Sequence, residues 1–247
     1  MRQVEEYWQE LSDWYDRKQG DAGDLWHRTL IDPVLLKVIG NCRGKQVLDL
    51  GCGNGYLSRR LAKAGAKMTA VDASPAMIMN AKVHDPKNAL GIRYLLSDAG
   101  KLTGIQRAKF DLVFANMSLM DIEDAAAAVK ESGRVLKRRG RFVASICHPC
   151  FDIMSNSAWM VEKSFYLKKP LVYRKVRGYR EPFSEEVPWN LGGGKRKYTR
   201  GFHRPLVRPG SPVWRHGGNW LGRAWADEGV RRRGAEKAGR PRRPGLP

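Results

Sequence analysis

Cysteines and long apolar runs are both scarce in this sequence, and each absence narrows the class of protein. The 247 residues contain four cysteines, Cys42, Cys52, Cys147 and Cys150, too few and too scattered for a disulfide framework in a chain of this size. No apolar run is long enough to span a bilayer, and the first ten residues carry three glutamates, which argues against a secretory signal. We therefore expect a cytoplasmic protein with no membrane partner.

Acidic residues are also few relative to basic ones, since 25 Asp and Glu stand against 45 Lys and Arg and give a formal net charge of +20. The excess is uneven, because residues 201–247 hold 11 of the basic residues and 3 of the acidic ones. Such a charge is compatible with a nucleic acid, with an acidic small molecule, or with no specific anionic partner. Composition alone does not choose among them.

The stretch 47–56 has the pattern around which the rest of the chain is organised. Its first four residues, Val-Leu-Asp-Leu, predict a short buried strand of a parallel sheet. Gly51, Gly53 and Gly55 then permit a tight turn into a helix, whose first N–H groups can face a ligand. A dinucleotide-binding turn would require a small residue where Tyr56 stands, so the spacing disfavours a pyrophosphate ligand.

With Asp49 two residues before the first glycine, this stretch resembles motif I of the class I S-adenosylmethionine-dependent methyltransferases, small-molecule type. The resemblance covers roughly residues 20–150. It implies an α/β fold of three layers, Rossmann-like, with a central and mostly parallel sheet. It also implies S-adenosylmethionine as methyl donor, with the loop cradling its methionine end. The loop residues assigned to the donor are Asp49, Gly51, Cys52, Gly53 and Gly55.

A second carboxylate, Asp72, follows a predicted strand over 68–71, about twenty residues after the first glycine. A carboxylate at the end of this strand can accept both hydroxyls of a ribose, and in register with the glycine loop we assign Asp72 that role. Ala73 follows it, and Ser74 with the next proline predicts the start of a helix. Met77 is then placed to lie against the adenine.

Two further strands end in candidate donor contacts. A strand over 92–96 is followed by Asp98 and Ala99, which by the resemblance hold the adenine through its amine and its ring. A strand over 110–115 is followed by Asn116, at the sheet edge where ligands of open α/β sheets bind. A helix over 122–136 and a fifth strand over 141–146 complete the predicted core.

His148 follows the fifth strand and is the candidate catalytic residue. Residues 148–151, His-Pro-Cys-Phe, resemble a segment of a bacterial branch of small-molecule methyltransferases, which places His148 near the donor site. There it could deprotonate a hydroxyl or amine acceptor near neutral pH, or only hydrogen-bond the loop. The surrounding Cys-x-x-C pair has no second Cys/His pair at ligand spacing, so we predict no metal site.

The regions outside the core have separate predicted roles. Residues 1–44 form a helical lid with candidate lid residues Trp14, Tyr15, Trp26 and His27, although an aromatic stripe of this kind is also typical of simple packing. Residues 45–150 are the donor-binding core. Residues 151–200 interleave aromatic and basic side chains and are predicted to be an insertion that caps the substrate pocket.

The expected function is methyl transfer from S-adenosylmethionine to a small-molecule acceptor through an oxygen, nitrogen or carbon nucleophile. Two alternatives stay open. An RNA methyltransferase would use the basic stretch 163–200, and a non-catalytic protein would bind the donor without an acceptor pocket. The sequence leaves the acceptor, its reacting atom and the oligomeric state undetermined.

Residues 201–247 depart from the rest in composition. They hold one Lys, Lys237, against ten Arg, contain no isoleucine, and lack helical or strand periodicity. His203-Arg204-Pro205-Leu206 still resembles the family's entry into its last crossover helix, and the resemblance ends at Val207. We predict that this basic tail is disordered or translated out of frame from about residue 207, which would leave the sheet incomplete at its C-terminal edge and the fifth strand uncovered.

Overall fold

The structure is a computed structural model that describes residues 2–146, 157–163, 169–176, 183–190, 195–202, 213–216 and 219–225. Side chains are described for residues 8–146, 158–163 and 169–176. Five α-helices lie in these ranges: α1 (Arg2–Gln19), α2 (Asp32–Ile39), α3 (Tyr56–Lys63), α4 (Pro75–Val83) and α5 (Ala125–Val135). A π-helical turn, His27–Ile31, leads into α2, and 3₁₀ turns cover Pro86–Asn88 and Leu119–Asp121.

Eleven strands are described along the same ranges. They are β1 (Gln46–Leu50), β2 (Lys67–Asp72), β3 (Arg93–Leu96), β4 (Phe110–Asn116), β5 (Leu136–Ile146), β6 (Ser157–Glu162), β7 (Leu171–Val176), β8 (Phe183–Asn190), β9 (Lys195–Phe202), β10 (Val213–His216) and β11 (Asn219–Trp225). Seven of them form one sheet in the order β10-β11-β5-β4-β1-β2-β3. β1 to β5 are mutually parallel, which confirms the predicted Rossmann-like α/β sheet.

The core consists of two apolar layers, one on each face of the sheet. Along β1 and β4 the side chains alternate, so that Val47 and Phe114 belong to one layer while Leu48 and Val113 belong to the other. Residues of α2, α3 and α4 cover the first face, and residues of α5 cover the second. Strands buried on both faces need apolar side chains at nearly every position, as β1 and β4 have. This arrangement confirms the three-layer prediction.

The boundaries of the last core helix and strand differ from the predicted ones. Asp124 caps α5 by accepting a hydrogen bond from the Ala127 N–H at 2.8 Å, so the helix starts at Ala125 rather than 122. β5 begins at Leu136 and pairs with β4 across an irregularity, since Leu136 lies opposite Phe110 and Arg141 opposite Leu112. The apolar pattern that predicts the strand begins only after Lys137-Arg138-Arg139-Gly140, so its first five residues were not predicted.

The edge of β5 is paired, which corrects the expectation that it is uncovered. β11 runs antiparallel beside β5, from Trp220 opposite Ile146 to Trp225 opposite Arg141, and β10 pairs with the outer side of β11. In the sequence, two glycines separate β10 from β11, and a Gly-Gly pair between strands of complementary length favours a hairpin. The irregular composition of 201–247 concealed that signal.

Two smaller hairpins fall in the segment predicted to cap the pocket. β6 pairs with β7, and β8 pairs with β9, each antiparallel. The backbone of β9 passes beside the Leu119–Asp121 turn that follows β4. No helix within the described ranges is both long and apolar enough to cross a membrane.

Candidate active site

The candidate active site is a cavity of about 660 Å³ at the carboxyl edge of the sheet. The glycine loop and the residues after β2, β3 and β4 form one side of it, and α1 with the segment that follows forms the other. Loops beyond parallel strands converge at this edge, which makes it the usual ligand site of such sheets. Of the eleven residues predicted to hold the donor, eight line the cavity: Gly51, Gly53, Asp72, Ala73, Met77, Asp98, Ala99 and Asn116.

Two glycines of the loop face the cavity and cannot be replaced without strain. Gly51 has φ +74° and Gly53 has φ +54°, in the left-handed region that side chains rarely adopt. A Cβ on Gly51 would lie 2.6 Å from the Cβ of Ser118, and one on Gly53 would lie 3.0 Å from Tyr15 Cε1. Ser118 and Tyr15 therefore pack closely against the loop, which has no room for side chains at these two positions, and both glycines also line the cavity.

The other three predicted donor residues lie outside the cavity lining and support the loop from within the protein. Gly55 is the left-handed cap of α3, and a Cβ there would lie 3.1 Å from both Ala81 and Tyr94. Asp49 is buried and accepts a hydrogen bond from Ser58 Oγ at 2.6 Å. Burial raises the pKa of Asp49 to about 7, and it also raises the pKa of the Cys52 thiol.

Asp72 lies at the end of β2 with its carboxylate held by backbone donors. One oxygen accepts from the Gly53 N–H at 2.8 Å and the other from the Ser74 N–H at 3.0 Å. Burial raises the pKa of Asp72, while these N–H groups oppose the shift. Each oxygen keeps a further lone pair, so the carboxylate links the glycine loop to β2 and can still accept hydrogen bonds from a ligand.

Asp98 and Asn116 line the cavity after β3 and at the end of β4, two strands that are separated in the sheet by β1 and β2. Asp98 accepts a hydrogen bond from the Gly100 N–H at 2.7 Å. The Asn116 amide donates to the Tyr56 hydroxyl at 2.9 Å and accepts from Ser145 Oγ at 2.6 Å. These bonds fix the orientation of the amide, because its donor and acceptor ends have different partners.

The helix α1 covers the cavity with aromatic side chains. Trp14, Tyr15 and His27, three of the four candidate lid residues, line the cavity, whereas Trp26 does not and is 67% exposed. Trp8 also lines it and meets the Tyr15 ring edge to face, with centroids 5.5 Å apart. Trp8 was not among the candidate lid residues, although it lies on the same helix as Trp14 and Tyr15.

A polar latch joins this covering segment to the core. His84, the residue that caps α4, lies 2.8 Å from the Asp16 carboxylate through Nε2 and 2.9 Å from the Asp21 carboxylate through Nδ1. The Asn54 amide of the glycine loop donates to Asp16 at 2.9 Å. Arg59 pairs with Asp21 at 3.1 Å. Sequence reasoning missed these residues because the partners lie 38 to 68 positions apart.

Several residues of functional interest fall outside the described parts of the chain. These are His148, the Cys147/Cys150 pair, and the side chains of most of the basic stretch 163–200. Their predicted roles stay predictions. Within the described residues, no cluster of three or more His, Cys, Asp or Glu side chains is arranged to hold a metal ion.

An open, mostly parallel sheet with a glycine loop after β1 and carboxylates at the end of β2 and after β3 places the chain in the doubly wound α/β class, whose ligands bind at the carboxyl edge of the sheet. A family model for a methyltransferase domain matches residues 48–144. A ubiquinone biosynthesis O-methyltransferase of Coxiella burnetii is 36% identical over 187 residues, which cover 74% of this chain and 77% of that protein.

A second such relative, from Xylella fastidiosa, is 36% identical over 120 residues, 47% of this chain and 49% of its own length. The crystal structure of an S-adenosylmethionine-dependent methyltransferase from Mesorhizobium loti superposes with a TM-score of 0.58 over 74% of this chain and 81% of that one, at 24% identity, and shows the same fold. The chain belongs to the class I S-adenosylmethionine-dependent methyltransferases.

Proposed function

We propose that this protein methylates a hydroxyl group of a small aromatic molecule in the cavity beneath α1, with S-adenosylmethionine as donor. The donor supplies an electrophilic methyl group on a sulfonium. The observation that carries the proposal is that the glycine loop, the Asp72 carboxylate and the aromatic residues of α1 line one cavity of about 660 Å³. That volume is typical of small-molecule sites.

The residues present fit the donor. Gly51 and Gly53 line the cavity and contribute only backbone to it. Asp72, at the end of β2 beside the glycine loop, can accept hydrogen bonds from the ribose hydroxyls. Asp98 and Ala99, which line the cavity beyond β3, hold the adenine in this proposal. The donor then extends across the sheet edge, with its methionine half toward β1 and β4.

The cavity lining outside the proposed donor contacts includes aromatic and apolar side chains, among them Trp8 and Trp14 from α1 and Met117 and Ile122 from the residues after β4. In this proposal they contact the acceptor. Flat rings bind well between such side chains because they bury apolar area and stack. The relatives named above are O-methyltransferases, which favours oxygen as the acceptor atom.

The segments around the core supply closure. In this proposal residues 1–44 act as a lid, held by the latch between His84 and the two aspartates. The 151–200 segment caps the pocket, in agreement with the position of β9 beside the Leu119–Asp121 turn. The leaving group of methyl transfer needs no acid catalyst. The reaction depends instead on alignment of the acceptor with the methyl carbon and on the exclusion of water from both.

Methyl transfer from isotopically labelled S-adenosylmethionine tests the proposal. We would offer the full chain a panel of catechols and phenols, a panel of amines, and total RNA in parallel, and detect labelled product by mass spectrometry. Labelled methyl ethers from the phenol panel would support the proposal. Label that appears only in amines or only in RNA would overturn it.

A further inference from the structure

We propose that His27 and Asp24 form a catalytic dyad in which His27 is the general base for the hydroxyl acceptor. This deepens the proposed function and rests on it. The dyad differs from the base predicted from sequence, His148, which lies outside the described residues.

The geometry of the pair fixes which ring nitrogen is available. His27 Nδ1 lies 2.8 Å from Asp24 Oδ1. The Gln19 side-chain nitrogen lies 3.3 Å from the same Nδ1. Because a carboxylate only accepts and its contact is the shorter of the two, we assign the proton to Nδ1, which donates a hydrogen bond to Asp24. The lone pair is then on Nε2, which has no hydrogen-bond partner among the described residues. The same Asp24 oxygen accepts from the His27 backbone N–H at 2.8 Å, so the turn itself positions the carboxylate.

The environment suits a base that must take up a proton and release it. The His27 side chain is 12% exposed and that of Asp24 is 23% exposed, so the pair is shielded yet connected to solvent. Burial opposes ionisation of Asp24, but hydrogen bonds from the His27 ring and backbone hold the pKa of its carboxyl below the ordinary value. An ionised partner stabilises the imidazolium that forms during catalysis.

The dyad lies at the end of the cavity where the methyl group is expected. Both residues line the cavity. The His27 ring packs edge to face on the Tyr56 ring with centroids 5.7 Å apart, and the Tyr56 hydroxyl donates to buried Asp32 and accepts from Asn116. His27 is therefore on the β1 and β4 side, opposite Asp98. With the adenosine between Asp72 and Asp98, the reacting end of the donor points toward this side.

The proposed reaction needs no reactant besides the donor and the acceptor. Nε2 of His27 takes the hydroxyl proton of the acceptor as the acceptor oxygen bonds to the methyl carbon. The carbon–sulfur bond breaks and its electron pair stays on sulfur, so the sulfonium charge is neutralised. The imidazolium then returns its proton to solvent past the half-buried carboxylate. The products are a methyl ether, S-adenosylhomocysteine and one proton.

Acceptors of different acidity separate a base from a residue that only positions the substrate. His27→Ala should slow methylation of an unsubstituted catechol by roughly a hundred- to ten-thousandfold, because the hydroxyl must then lose its proton unaided. A nitrocatechol, which is already ionised at neutral pH, should be methylated within about tenfold of the wild-type rate. Calorimetric affinity for S-adenosylhomocysteine should not change. Asp24→Asn should give a smaller loss with the same dependence on acceptor acidity.

The neighbouring exposed residue offers a matched control, since Arg28→Ala changes the same helical turn without a predicted role and should keep the wild-type rate. The dyad would be overturned if His27→Ala slowed the methylation of catechol and of nitrocatechol equally. It would also be overturned if the loss of rate depended on acceptor acidity in His148→Ala but not in His27→Ala. A wild-type protein that methylates no phenol would instead remove the proposed acceptor class, and the base with it.

Discussion

Replacement of Asp72 should weaken donor binding selectively through the ribose. In the structure the carboxylate accepts backbone N–H bonds from Gly53 at 2.8 Å and from Ser74 at 3.0 Å, and the Ala73 N–H also interacts with it. A carboxylate has about four acceptor positions, so capacity remains for the ribose. A hydrogen bond to a charged acceptor contributes about 1.5–3 kcal/mol. Water can enter the space in Asp72→Ala and recover part of two such bonds, so we expect a net loss of about 1.5–3 kcal/mol, roughly ten- to hundredfold in Kd.

Isothermal titration calorimetry with S-adenosylhomocysteine measures this loss, and an analogue without ribose hydroxyls identifies its origin. The analogue should bind the wild-type protein more weakly than S-adenosylhomocysteine does. Asp72→Ala should reduce the affinity for the analogue little further. Asp111→Asn is a suitable control, because that carboxylate pairs with Lys137 at 2.8 Å at the other end of β4 and should leave Kd unchanged. An unchanged Kd in Asp72→Ala, or an equal loss for the analogue, would refute the ribose assignment.

Three further predictions concern the loop, the latch and pH. Gly51→Val should abolish measurable donor binding, because the new side chain would collide with Ser118 at a position of positive φ. Wild-type affinity by calorimetry would contradict the requirement for glycine at this position. His84→Ala removes both contacts of the latch and should weaken donor binding about twofold to tenfold, as expected for the loss of two partly exposed side-chain contacts. An unchanged Kd would show that the latch does not hold the lid. The pKa of Asp49 is raised to about 7 in the folded protein, so its contribution to stability is complete below the ordinary pKa and is lost as the pH rises to 7. Chemical denaturation should show that Asp49→Asn flattens this pH dependence and stabilises the fold above pH 7 by up to about 4 kcal/mol. The same pH dependence in both proteins would contradict the raised pKa of Asp49.

Eight residues that line the cavity could be predicted from sequence because their signals are local. Each candidate carboxylate directly follows a strand, and the glycine spacing appears within five residues. The same local reasoning assigned Asp49, Cys52 and Gly55 to the donor, and these three residues lie outside the cavity lining. Spacing identifies which residues belong to the turn but does not determine which of them face the ligand.

The covering side of the site depended on contacts that sequence spacing does not reveal. Asp16 and His84 are 68 positions apart and meet only because α1 packs on α4. The Asp24 and His27 pair is local, at three positions apart, yet it resembles an ordinary helix-start contact until the cavity shows which way it faces. The hairpin of β10 and β11 was missed because its strand pattern is short and rich in glycine, arginine and tryptophan.

A crystal structure of the full chain with S-adenosylhomocysteine tests the central claim most directly. We predict electron density for the ligand in the cavity beneath α1, with both ribose hydroxyls on Asp72, the adenine beside Asp98 and Ala99, and the sulfur toward Asn116 and His27. Ligand density at another surface, or an adenine at the Asn116 end of the cavity, would contradict the assignment of the donor site and of the dyad that depends on it.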